Sequence, residues 1–126
     1  MKQELYHFFK QSSPLSEYSH NVASQCGEDG IIKRINDLIC PANKFCVEFG
    51  AWDGKYFSNC YSLITNHHWA AIMIEANPDK YKALVNTYAG NDNVIPVNRL
   101  VDFEGINTLD NILADPLFQP SLNGQN

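Results

Sequence analysis

Phe45-Cys46-Val47-Glu48-Phe49-Gly50-Ala51-Trp52-Asp53-Gly54-Lys55-Tyr56-Phe57-Ser58-Asn59 reads as a buried strand that runs into a two-glycine loop and then a helix. Val47 and its apolar neighbours suit a strand covered on both faces, Gly50 and Gly54 permit a tight turn, and a following helix offers free N–H groups to an anion. Downstream, Ala70-Ala71-Ile72-Met73-Ile74-Glu75 is a second short apolar strand that ends in a carboxylate. A little over twenty residues, about the separation seen here, is where a dinucleotide-type fold places the acid that holds ribose hydroxyls.

Around these two segments the chain alternates helix and strand. Ile31, Ile32, Ile35, Leu38 and Ile39 recur at helical spacing behind Glu28 and Asp29, which complement the dipole, and this helix is expected beside the first strand. Ser58 or Asn59 caps a helix with Tyr61, Leu63 and Ile64 inward,. Asn77-Pro78-Asp79 starts another, with Tyr81, Leu84, Val85 and Tyr88 as its buried stripe,. Val94-Ile95-Pro96-Val97 is a third apolar run whose proline suits a sheet edge,. Thr108 then caps a short helix through Leu109, Ile112 and Leu113. Three strands alternating with helices indicate an α/β fold with a parallel sheet. Residues 1–21 read as a short amphipathic helix and connector, and 22–126 as the domain proper.

Ser24-Gln25-Cys26-Gly27-Glu28-Asp29-Gly30, Val47 to Gly54, Ile74-Glu75-Ala76-Asn77-Pro78 and Gly105-Ile106-Asn107-Thr108-Leu109-Asp110 occur in order and at compatible spacing. Over roughly residues 22 to 113 the chain thereby resembles the FkbM-type methyltransferases, with Glu48-x-Gly50-x-x-x-Gly54 where class I S-adenosylmethionine-dependent enzymes carry their first cofactor motif. One departure is Trp52, where many members have Asn. The resemblance implies a Rossmann-like class I methyltransferase sheet, O-methylation of a sugar or secondary-metabolite hydroxyl, and S-adenosylmethionine as cofactor. It implies that Gly50, Ala51, Trp52, Asp53 and Gly54 pass under the methionine part while Glu48 helps hold its amino group. It also lets Gln25, Glu28 and Asp29 reach over the site, although a helix-start cluster accounts for them equally well.

Glu75 suits ribose because one carboxylate accepts from both vicinal hydroxyls; its replacement is expected to leave folding nearly unchanged. Asn77 and Asn98 are candidate further contacts, with helix capping and turn formation as their ordinary roles. Trp52 is expected to wall the cleft, with Tyr56 and Phe57 as candidates beside it. No residue is identified as the catalytic base. Family members continue past this pattern into further strands, so the chain is expected to be an incomplete sheet of about three strands, the N-terminal, cofactor-binding part of such a domain. An open edge of that kind is expected to promote self-association and to leave the chain inactive by itself.

Composition narrows the partners. With 126 residues the chain is one domain at most, and 9 Lys plus Arg against 14 Asp plus Glu give a net charge of −5, which argues against nucleic acid and anionic membranes. Leu5, Phe8 and Phe9 are interrupted by charges and do not form a signal peptide, and no stretch spans a membrane, so a cytoplasmic location is expected,. Cys26, Cys40, Cys46 and Cys60 lack zinc-site spacing and read as free thiols, and the adjacent His67 and His68 point different ways, so no metal site is expected,. Two alternatives stand beside the methyltransferase: an NAD-dependent oxidoreductase, which normally carries G-x-G-x-x-G, and a non-catalytic fragment that binds nucleoside or only scaffolds a partner.

Overall fold

The computed structural model describes Gln3 and residues 14–118; the expected N-terminal helix and the tail from Pro120 lie outside them. Its elements are α1 (Glu28–Ile39), β1 (Phe45–Phe49), α2 (Tyr61–His67), β2 (Ala70–Ile74), α3 (Pro78–Thr87), β3 (Val94–Val97) and α4 (Leu109–Ala114). Short 3-10 turns occur at Leu15–Tyr18, Gly105–Asn107 and Pro116–Phe118. The strands form one parallel sheet in the order β1-β2-β3, with Val47 beside Ile72 and Ile72 beside Ile95. This is the α/β arrangement that alternating strands and helices require.

The pleat divides the core between two faces. Ala71 and Met73 of β2 point to one side, where Cys60, Ile64, Leu84, Tyr88 and Val94 join them. Ile72 and Ile74 point to the other and meet Val97 and Ile112. Ile72, Met73 and Ile74 are almost wholly buried, each contributing about 1.5–3 kcal/mol by removal of its side chain from water. β2 is therefore the central strand and reads as a continuous apolar run because both its faces are covered.

Local signals set the helix ends. The Asn77 side chain accepts hydrogen bonds from the N–H groups of Asp79 and Lys80, with Pro78 in the first turn, and Thr108 accepts from Asn111. Ser58 Oγ accepts from both Cys60 and Tyr61, so it caps α2 from two residues upstream. Among the described residues β3 is an edge strand, and Pro96 lies in it opposite Met73, where a missing N–H costs no ladder bond on the outer side.

Two expectations are corrected. Val85 is exposed, because the inward face of α3 is used by Tyr81, Leu84 and Tyr88. None of the apolar residues of α1 joins either core cluster, and α1 packs chiefly on the turn Leu15–Tyr18 instead of β1. Gly30 explains the choice of partner: a Cβ there would lie 1.9 Å from the Tyr18 carbonyl oxygen, so the missing side chain draws residues 18–20 against the helix. A groove of about 400 Å³, lined in part by Lys33, Lys44, His67 and Trp69, lies along the C-terminal part of α1.

Candidate functional site

The loops that leave β1, β2 and β3 meet at the carboxyl edge of the sheet, the edge where open α/β sheets bind ligands. Four residues after β1 have positive φ: Gly50 (69°), Trp52 (54°), Gly54 (81°) and Phe57 (58°). Left-handed backbone in non-glycine residues carries strain of about 1–2 kcal/mol each and persists only where surrounding bonds fix it. Those bonds are present. The Ala51 N–H donates to the Ile74 carbonyl at 3.0 Å and the Gly54 N–H to the Ala51 carbonyl at 2.8 Å. Thr87 Oγ1 donates to the Asp53 carbonyl and the Tyr88 hydroxyl to the Gly54 carbonyl, both at 2.6 Å.

The two glycines serve different ends. A Cβ on Gly54 would come within 2.6 Å of both Leu84 and Tyr88, whereas one on Gly50 would meet nothing within 4 Å. Gly54 thus lets the loop lie flat on α3, and Gly50 leaves its backbone open on the solvent side.

Glu75 organises this edge. Its Oε2 accepts the Trp52 N–H at 2.7 Å and its Oε1 the Asn77 N–H at 2.8 Å, while its own N–H bonds the Val97 carbonyl. The residue is only 6% exposed. Asn98 closes the far side, its Nδ2 donating to the carbonyls of Glu75 at 2.8 Å and Ala76 at 3.1 Å. Glu48 is bound differently: it accepts from Ser58 Oγ at 2.6 Å and from the Asn59 N–H at 2.8 Å, which ties the end of β1 to the start of α2.

The nine candidate residues therefore sit along one edge, with Glu75 directly bonded to Trp52, Asn77 and Asn98. Ala51 is buried in the core and contributes through its backbone. Asn77 spends its oxygen on the α3 cap, so only its N–H reaches Glu75. Gln25 stays within the loop ahead of α1: its carbonyl accepts from the Asn21 amide. Glu28 accepts from the Cys26 N–H, and Asp29 Oδ2 accepts from Val22, Ala23 and Ser24, each at 2.8 Å. For Glu28 and Asp29 the helix-start account holds. Burial alone would push the Asp29 carboxyl up, yet the three N–H bonds outweigh it and hold its pKa below the usual 3.8,. Asp53 behaves likewise: burial opposes ionisation, but the Tyr56 and Lys55 N–H groups and the Lys80 charge bring it down.

Sequence reasoning missed Thr87, Lys80 and the bond of the Tyr88 hydroxyl to the loop. Lys80 Nζ lies 4.4 Å from the centroid of the Trp52 ring, a cation–π contact across the edge. No local pattern announces these, since each acts on the loop from a helix some thirty residues on. The four cysteines are free thiols, and the Cys46 thiol together with burial pushes Cys60 well above the ordinary thiol range, which makes it inert. Among the described residues no group of three His, Cys, Asp or Glu is placed to hold a metal, and no helix is long and apolar enough to cross a membrane. In comparisons with family models, curated proteins and solved structures, nothing matches the chain.

Proposed function

We propose that the chain binds S-adenosylmethionine along the carboxyl edge of its sheet, as the cofactor-binding part of an O-methyltransferase of the FkbM type with a Rossmann-like class I architecture. The observation that carries this reading is Glu75. Each of its carboxylate oxygens accepts a single backbone N–H, which leaves one acceptor site apiece for two vicinal ribose hydroxyls. The residues present thus fit the nucleoside, and the open backbone at Gly50 suits close approach of the methionine part.

Charge separates this cofactor from NAD. Glu48, Asp53 and Glu75 place three carboxylates on the edge, and Asp53 is held ionised by its N–H partners. A sulfonium and an ammonium are attracted to such an edge, whereas the pyrophosphate of NAD is repelled. The Gly50-x-x-x-Gly54 spacing, with Gly54 consumed by packing on α3, points the same way.

The bound cofactor supplies an electrophilic methyl group; the residues of this chain hold and orient it. Glu75 grips the ribose, Glu48 faces the amino group, and Asn98, its Nδ2 committed to Glu75 and Ala76, offers Oδ1 to the adenine amino group. The acceptor is a sugar or secondary-metabolite hydroxyl. Photo-crosslinking with methyl-labelled S-adenosylmethionine tests the reading. Labelling competed by S-adenosylhomocysteine and not by NAD is expected; competition by NAD alone would replace the methyltransferase with an oxidoreductase.

A further inference from the structure

At the amino edge of the sheet, the groove of about 400 Å³ separates the C-terminal part of α1 from the end of α2. Small-molecule sites begin at about 300 Å³. β1 is five residues long, so a strand's length, about 15 Å, lies between this groove and the Glu75 edge. Whatever it holds is not the ligand of that edge.

The polar lining inverts the charge of the chain. The whole carries −5, yet here Lys33, Lys44 and His67 stand against one carboxylate, Asp37, among the described residues. Lys33 Nζ binds Asp37 Oδ2 at 2.7 Å, and the His67 charge acts on the same carboxyl from α2. His67 lies in the last turn of α2, where a cation complements the helix dipole; Lys44, ahead of β1, has no such role. Asn36 adds a donor. Its Nδ2 is buried and finds no acceptor among the described residues, a cost that an entering anion removes.

The remaining lining is apolar: Pro41, Leu63 and the half-buried Trp69. The Trp69 N–H donates to the Leu63 carbonyl at 3.0 Å and the Ala70 N–H to the Lys44 carbonyl at 2.9 Å. These bonds fix the backbones that carry the indole and Lys44 before any ligand arrives, which lowers the ordering cost of binding. Such a groove suits a ligand that is flat and apolar at one end and negative at the other. A cation is repelled by the lysines, and a neutral ring leaves Asn36 without its acceptor.

We propose that this groove binds a small aromatic acid, a one- or two-ring compound bearing a carboxylate or a phosphate. The ring stacks on Trp69 beside Leu63 and Pro41. The anionic group bonds Lys44 Nζ and, by rotation of its amide, Asn36 Nδ2, with His67 beside it. The site does not rest on the methyltransferase reading.

Amide NMR spectra of the full chain, titrated with 2-naphthoate, 2-naphthyl phosphate, the uncharged 2-naphthamide and inorganic phosphate, test it. Saturable shifts at Asn36, Lys44, His67 and the Trp69 indole N–H are expected with a naphthyl anion. Affinity is expected to fall about tenfold in Lys44→Gln and to return in Lys44→Arg, and because Lys44 is exposed both variants keep dispersed spectra. Binding of only one of the two naphthyl anions upholds the site and names its anionic group. Equal binding of 2-naphthamide overturns the acid, and inorganic phosphate that binds as tightly as the naphthyl anions overturns the ring. No saturable shift at these residues from any probe, or undiminished affinity in Lys44→Gln, overturns the site.

Discussion

The Glu75 carboxylate accepts the Trp52 N–H at 2.7 Å, across 23 positions of sequence, and by that bond the acid after β2 fixes the loop after β1. One buried side chain thus shapes the glycine loop, and under the proposed function the same carboxylate would also accept the ribose hydroxyls. If the proposed cofactor binds there, stability and binding are coupled at this residue.

Glu75→Ala is accordingly expected to weaken S-adenosylhomocysteine binding by about 1–3 kcal/mol and to lower folding stability by a similar amount, since the Trp52 and Asn77 N–H groups lose a charged acceptor. The sequence alone suggests a fold indifferent to this change; the two N–H bonds reverse that. Urea unfolding beside calorimetry checks both, and a variant of unaltered stability would show that the loop does not depend on Glu75.

The glycines are expected to separate. Gly54→Ala forces a methyl against Leu84 and Tyr88 in left-handed backbone and should cost about 2–4 kcal/mol of stability. Gly50→Ala meets open space and should cost only the backbone strain of about 1–2 kcal/mol, its larger effect falling on ligand affinity. Equal losses of stability in the two variants would contradict the division of labour between them.

Much of this was legible from residue order. Strand, loop, strand and acid follow from periodicity and glycine spacing, and the Asn77, Ser58 and Thr108 caps from residue type. What was hidden depends on tertiary approach. Gly54 looks like Gly50 until α3 is laid beside it, and Val85 looks as buried as Leu84 until the helix takes its rotation. The apolar pattern of α1 promises a core position, yet the pattern cannot show that Gly30 docks the helix on residues 18–20. That Asp29 and Glu28 close their own loop is likewise a matter of geometry, since the same two acids could extend toward a ligand.

Acid should loosen the two clamped loops. Asp29 and Asp53 have folded pKa values below the ordinary 3.8, so their contribution is fully present above that value and is lost as pH falls through the lower folded ones. Stability is expected to hold between about pH 5 and 7 and to decline below about pH 4, more gently in Asp29→Asn, which starts less stable. Urea midpoints measured across pH check this; a parallel decline in wild type and variant would remove Asp29 as a source.

Among the described residues β1 has a strand partner on one side only, and Phe45 and Phe49 on it are 37% and 59% exposed. Such an edge is a template for pairing. The chain is expected to self-associate with rising concentration, and Phe49→Lys to reduce this. Light scattering after size-exclusion chromatography reads the outcome, and a wild-type chain that stays monomeric at high concentration would show that the edge is protected.

The most direct measurement of the central claim is calorimetric titration of the chain with S-adenosylhomocysteine and, separately, with NAD, repeated on Glu75→Gln. The account predicts binding of the first ligand in preference to the second, with affinity reduced in the variant because the amide offers ribose one acceptor oxygen where the carboxylate offers two. Tighter binding of NAD, or undiminished S-adenosylhomocysteine affinity in a folded Glu75→Gln chain, would contradict it.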